Sequence, residues 1–413
     1  MKQAILFFAL FTTLAFSQAG STAVPFLTIP TSVEANGMGG ISTTANTSSP
    51  SSMLFNPAQL GMHTQSNFLS TELNTKRTQW LPAFGHPDLW LTNNSMIFGM
   101  KFSLDDHSSI SAGIGYSRLY LNLGTFIQSF YDANNISYFN GYESSDNFSA
   151  GIGLNDGYRI SVGMTLKKIT SKLTPFGTAQ EPRNKSTGLW AADFGIIGSL
   201  PLLPYMSEVE LNGFNTWAPF ITLTGAYAIN NIGGRVSYID DSQSDPLPRT
   251  ARLGLSLNAG ISMLINNEPF TLFDLTAARE AEELLLKITA NNTWDYSSSP
   301  INKINIIQDL FEGRAHGHVS ARRGYSATFF ESVTIRTGSM DGDGELIYNT
   351  TGYSLSTLGI SKIVNASLTR EEERDPFHYF LSHVEIRYNH SEYTDHPILD
   401  GTVFDTIVIT FRH

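Results

Sequence analysis

Over most of its length the chain alternates between apolar and small or polar residues. Met96, Phe98, Met100, Phe102 and Leu104 are apolar at every second position, with Gly99, Lys101 and Ser103 between them. Ile110, Ala112, Ile114 and Tyr116 repeat the pattern, as do Phe148, Ala150, Ile152 and Leu154. Tyr158, Ile160, Val162, Met164 and Leu166 do so against Arg159, Ser161, Gly163 and Thr165. The longest run is Leu253, Leu255, Leu257, Ala259, Ile261 and Met263. A period of two places one set of side chains on one face of a strand. Polar, turn-rich stretches separate the runs, among them Leu104–His107, Leu154–Gly157 and the longer Thr174–Lys185. Short turns at one end and longer loops at the other suit a β-barrel that crosses a membrane.

Two regions depart from this pattern. Residues 19–65 are rich in Ser, Thr, Ala, Gly and Pro and show no sustained alternation. Unpaired backbone cannot face lipid, so this segment is expected in the lumen or at the periplasmic mouth, folded against the inner wall through the Asn56-Pro57 turn. Residues 274–312 read as a helical insertion. Asp274–Ala290 carries Ala, Arg, Glu and Leu in a run of helix formers, and Ile301–Phe311 puts Ile304, Ile307, Leu310 and Phe311 on one helical face. Both helices are expected to plug or cap the barrel, or to dock a partner.

Composition narrows the class. Only 15% of residues are charged, against about 25% in soluble globular chains, while 12% are aromatic. Lys2, the apolar stretch Ala4–Phe16 and the small-residue site Ala15-Phe16-Ser17 predict an export signal over residues 1–18, removed near Gln18 or Ala19. The stretch is too short to span a bilayer, which needs about 20 residues, and no later run is longer. A membrane protein of this sequence is therefore a barrel. Residues 66–413 leave room for roughly fourteen strands at about 9–11 residues each. The absence of cysteine excludes disulfides, thiol chemistry and lipid attachment at a cysteine. A net charge of −11 argues against nucleic acid.

Specific motifs add a resemblance. Ala35-Asn36-Gly37-Met38-Gly39-Gly40, then Leu54-Phe55-Asn56-Pro57-Ala58-Gln59-Leu60, resemble the N-terminal signature of the PorV/PorQ family of FadL-like barrels. Ala192-Asp193-Phe194-Gly195, Asp245–Gly254 (with Pro246, Pro248, Arg252 and Gly254) and Thr334–Gly338 are similar to later strands of that family. The pattern departs at Asn36, Phe55 and Gln59. The resemblance implies an all-β, fourteen-stranded transmembrane barrel with an N-terminal hatch, placed in the outer membrane of a Gram-negative-type cell. It implies a role in type IX secretion: accepting cargo through its C-terminal signal domain at the cell surface, with the translocon and attachment proteins as partners. The alternative within the same superfamily is a hatch-gated channel for hydrophobic small molecules.

Catalytic, cofactor or metal chemistry is not expected. His316 and His318 share a strand face, yet Arg314, Arg322 and Arg323 stand close to them in the chain. Asp341–Glu345 opens like a calcium loop, but Gly352 stands where the closing carboxylate belongs. Ser382 and His383 are adjacent, and neighbours on a strand point to opposite faces. The motif glycines and Asn56-Pro57 are read as residues that hold the fold rather than touch a ligand.

Overall fold

The computed structural model describes residues 22–44, 49–62, 66–105, 108–129, 136–173, 186–203, 217–237, 244–265, 268–289, 293–317, 319–342, 347–367 and 376–412. The expected export signal, the loop 174–185 and most of the acidic turn after Gly342 lie outside them.

Fourteen antiparallel strands close into a barrel. In chain order they are β1 (Phe68–Asn74), β2 (Trp90–Ser103), β3 (Ser108–Ser129), β4 (Ile136–Asp156), β5 (Arg159–Lys172), β6 (Ser186–Leu203) and β7 (Trp217–Gly233). There follow β8 (Thr250–Ile265), β9 (Glu268–Leu284), β10 (Val319–Phe329), β11 (Val333–Asp341), β12 (Ile347–Ser356), β13 (Val384–Thr394) and β14 (Val403–Arg412). Each strand pairs with its neighbour in sequence, and β1 pairs with both β2 and β14, which closes the ring. Closure leaves no free sheet edge.

The alternation read from sequence sorts side chains by side of the wall. Met96, Phe98, Met100 and Phe102 on β2, Ile114 on β3, and Ile160, Val162, Met164 and Leu166 on β5 all point outward and are exposed. So do Phe194 and Ile196 on β6, Leu257 on β8 and Leu275 on β9. A continuous apolar wall of this extent suits hydrocarbon and not water. No helix among the described residues is long and apolar enough to cross a membrane. The strands do the crossing, as in outer-membrane β-barrels.

The two ends differ. Tight connections join β2 to β3, β4 to β5, β8 to β9 and β10 to β11 at one end. At that same end a helical hairpin, α3 (Leu358–Ser367) and α4 (Pro376–His383) in a continued count, joins β12 to β13. Longer connections mark the opposite end, which by the usual barrel convention is the outer one.

Part of the chain lies inside the barrel. Described residues between 22 and 62 run down the lumen before β1 begins, and nearly all of them are buried. They carry two short helices, α1 (Val33–Asn36) and α2 (Gln59–Met62). Ser32 caps α1, its Oγ accepting the Ala35 N–H at 3.4 Å.

The expected helical insertion over 274–312 is corrected. Residues 274–284 belong to β9, where Ala278, Glu280 and Glu282 face inward and Leu275, Ala277 and Arg279 face outward. Helix propensity loses here because both carboxylates meet arginines inside the barrel, a gain that only the strand phase supplies. The second expected helix shortens to a π-helix, Ile306–Glu312. It does not enter the lumen. Leu310 and Ile304 pack on Leu253, Ala281 and Val319, on the outer faces of β8, β9 and β10. Ile307 and Phe311, expected on the same packed face, are 68% and 66% exposed.

Candidate functional site in the barrel lumen

The chain enters the lumen near the outer end, where the Ala23 N–H donates to the Pro246 carbonyl at 2.9 Å. From there it descends to the short-turn end, where Gly61 lies against Gly153 and Ser111. Two surfaces without side chains let it approach the wall. Gly39 and Gly40 have φ of 74° and 81°, and a Cβ on Gly39 would stand 2.7 Å from Arg323 O and from the Ser339 backbone. Lower down, Gly113, Gly151, Gly163 and Gly195 are consecutive register partners on β3 to β6. The Asn56-Pro57 turn and Leu60 rest on this row; a Cβ on Gly195 would fall on Asn56 Oδ1, and one on Gly163 on the Pro57 carbonyl. Asn56 spans the turn itself, its Oδ1 accepting the Ala58 N–H at 3.1 Å and its Nδ2 donating to Thr43 O at 3.2 Å.

Buried charge fastens the segment. Glu280 of β9 accepts the Ser42 and Thr43 N–H groups at 2.9 and 2.8 Å and the Thr43 hydroxyl at 2.7 Å. Arg252 of β8 lies between Glu280 (3.3 Å) and Glu282 (2.9 Å), donates to Ser42 Oγ at 2.8 Å and stacks over Phe55 at 4.6 Å. Arg322 of β10 meets Glu282 from the other side at 2.5 Å. A second cluster sits around Glu34, the only charged residue between positions 22 and 62. Glu34 pairs with Arg387 at 3.1 Å and Arg336 at 3.8 Å, and Arg387 is shared with Glu385 at 2.5 Å. Glu72 of β1 binds Ser49 and Ser51 of the segment and Thr406 of β14, and among the described residues no cation pairs with it. Removing one partner of such a buried pair costs about 3–5 kcal/mol, because the other charge is left uncompensated.

Toward the outer end the lumen changes character. Leu91, Leu119, Leu121, Ile169, Met340 and Phe404 point inward there and form one apolar cluster. Its centre is occupied by the chain itself, through Val24, Phe26, Leu27, Ile29 and Val33. Tyr348 and Tyr393 close it in edge-on contact at 4.8 Å, and the Tyr393 hydroxyl donates to Asn36 Oδ1 at 3.1 Å. Val24 adopts φ 47° and ψ 54°, a left-handed conformation that a β-branched residue rarely takes.

The structure brings Gly37, Met38, Gly39, Gly40, Asn56, Pro57, Ala58, Arg252 and Gly254 into the contact between segment and wall. Asp193, Pro246 and Pro248 lie higher on the wall. Asp193 pairs with Lys167 at 2.8 Å and accepts the Asn231 N–H at 2.7 Å, while Asn231 reaches the Pro248 carbonyl. Sequence reasoning missed Glu34, Glu72, Glu280, Glu282, Arg322 and Arg387. For the strand residues the signal was a charge at the inward phase of a strand, which the helical reading of β9 concealed for Glu280 and Glu282, while Glu34 lies on α1 and carries no such phase. His316, weighed as a metal ligand, pairs with Asp309 of the π-helix at 2.8 Å.

No protein-family model matches the chain, and no curated protein sequence matches it. Solved structures similar to it are outer-membrane barrels of several kinds, the β domain of the Bordetella autotransporter BrkA among them at 10% identity over 84% of this chain and 99% of that one, TM-score 0.37. They include a FadL homologue of Pseudomonas aeruginosa, 8% identical over 93% of this chain and 99% of that one, with a TM-score of 0.40. The toluene transporter TodX of Pseudomonas putida is 11% identical over 91% of this chain and 95% of that one, TM-score 0.38. The monoaromatic hydrocarbon channel CymD is 10% identical over 97% and 99%, TM-score 0.38.

Proposed function

We propose that the protein is an outer-membrane channel for hydrophobic small molecules, gated by its own N-terminal segment as a hatch. One observation carries this reading: the outer half of the lumen holds a large apolar cluster, flanked by Glu143 and the Lys167–Asp193 pair, and the group that fills its centre is the apolar stretch around Phe26 and Leu27. Water-filled barrels line their lumen with polar residues, whereas a small-molecule site is concave and mostly apolar with a few polar groups. Tyr348, Tyr393 and Asn36 supply such groups at the chamber's edge. Expression of the full chain in the outer membrane of a host without such a channel should speed entry of a lipophilic fluorescent dye several-fold. Leu121→Asp should abolish the gain by charging the chamber. Entry no faster than in the empty host would overturn the reading.

The type IX reading rests on the sequence resemblance, whose motif residues meet at the contact between segment and wall. Its outcome in the same experiment is distinct. The purified barrel would retain cargo C-terminal domains while leaving dye entry unchanged.

A further inference from the structure

Arg279 of β9 and Arg323 of β10 point out of the barrel, and they are register partners, so the two guanidinium groups start from directly opposite positions. Both lie in the halves of their strands nearer the long-loop end. The next outward row toward the membrane interior is Leu257, Ala277, Tyr325 and Thr337. A charge on the lipid face is costly, and like charges directly opposite destabilise a strand pair. Such an arrangement calls for a counter-charge.

Among the described residues no carboxylate lies within ion-pair distance of either arginine. The nearby acids are committed elsewhere: Glu283 accepts the Asn302 and Lys303 N–H groups, Asp309 holds His316, and Glu312 pairs with Arg314. Arg279 donates one bond, from Nη2 to the Tyr325 hydroxyl at 3.1 Å, while its Nη1 is buried without a partner. Arg323 is exposed, with its stem 3.4 Å from where a Cβ on Gly313 would stand, below the end of the π-helix. That helix turns Ile306, Ile307 and Phe311 away from the wall.

We propose that Arg279 and Arg323 bind the phosphate of a phosphorylated outer-leaflet lipid, with an acyl chain descending along Leu257, Ala277 and Tyr325. Paired guanidinium forks match phosphate oxygens bidentately, and the tyrosine and the projecting π-helix frame the boundary between headgroup and hydrocarbon. The site lies on the outer wall and does not depend on what passes through the lumen.

The test uses the full chain purified in an uncharged detergent. Binding of a phosphorylated diglucosamine lipid, of the same lipid with its phosphates removed, and of inorganic phosphate is measured by native mass spectrometry and by the shift of the thermal midpoint. The phosphorylated lipid should be retained, and R279Q/R323Q should weaken it by about tenfold or more. R279K/R323K, which keeps the charge but loses the fork, should fall between. Equal retention of the dephosphorylated lipid, or undiminished binding by R279Q/R323Q, would overturn the proposal. Inorganic phosphate binding as tightly as the lipid would also overturn it, by making the site one for free anions. Should R279Q/R323Q fail to assemble, the comparison of the two lipids on the wild-type protein decides alone.

Discussion

Asn56 and Pro57 lie flat against the wall because four strands in succession offer no side chain at that height. A Cβ on Gly163 would overlap the Pro57 carbonyl, whereas one on Gly198, farther along the same sheet, meets nothing within 4 Å. Gly163→Val is therefore expected to lower the thermal midpoint of the detergent-solubilised barrel and expose the segment to protease. Overpacking of this kind costs about 1–3 kcal/mol. Gly198→Val should do neither, and equal effects of the two would dissolve the argument. A second residue-scale expectation concerns His396, in the outer connection between β13 and β14. Its Nδ1 accepts the Ile398 and Leu399 N–H groups at 3.1 and 3.2 Å, which only a neutral ring can do, and burial holds its pKa below the ordinary 6.5. The folded value lies below the unfolded one, so the unfolded turn takes up the proton first as pH falls. The stabilisation is complete above about 6.5 and is lost as pH falls through the folded value. Hydrogen exchange at Ile398 and Leu399, corrected for its intrinsic pH dependence, should accelerate on acidification, and His396→Asn should remove the pH step.

At the scale of elements, β9 shows what local sequence carries and what it does not. Its residues 277–284 are helix formers, and nothing within that window favours a strand. The deciding partners stand on β8 and β10: Arg252 and Arg322 answer Glu280 and Glu282 only in the strand phase. The alternating runs were legible because each carries its own evidence, apolar residues outward and Ser, Gly or Thr inward. The pairing of Glu34 with Arg387, 353 residues away, was not, since only closure of the barrel brings them together. The glycine row was visible as glycines inside strands, but its purpose depends on what Asn56 and Pro57 do across the lumen. Glu280→Ala should thus cost about 3–5 kcal/mol, leaving the Ser42 and Thr43 amides without an acceptor and Arg252 with one carboxylate fewer. Denaturant titrations of Glu280→Ala, Arg252→Met and the double variant test the coupling. The double variant should lose clearly less than the sum, and strict additivity would mean that the cluster does not act as a unit.

For the whole molecule the question is whether the segment must leave the wall for anything to pass. Glycine contacts, buried ion pairs and the apolar chamber all hold it in place. The anchors at Glu280, Glu34 and Glu72 rest on polar groups, which exchange partners more readily than a packed apolar core does, and Val24 is held in a conformation that release would relax. If passage requires release, a covalent tether should stop it. Thr43 and Gly254 are placed for one: a Cβ on Gly254 would stand 3.4 Å from Thr43 Cβ, close to the separation that a disulfide spans. The chain has no cysteine of its own, so Thr43→Cys with Gly254→Cys offers a single possible bridge. Under oxidising conditions the double variant should admit lipophilic dye no faster than the empty host, and a membrane-permeant reductant should restore entry. Each single variant should admit dye at the same rate under oxidising and reducing conditions, which separates the tether from the substitutions. Undiminished entry through the oxidised variant, with the bridge verified by mass, would show that the segment stays seated while molecules pass, and the route would then have to leave the barrel through its wall.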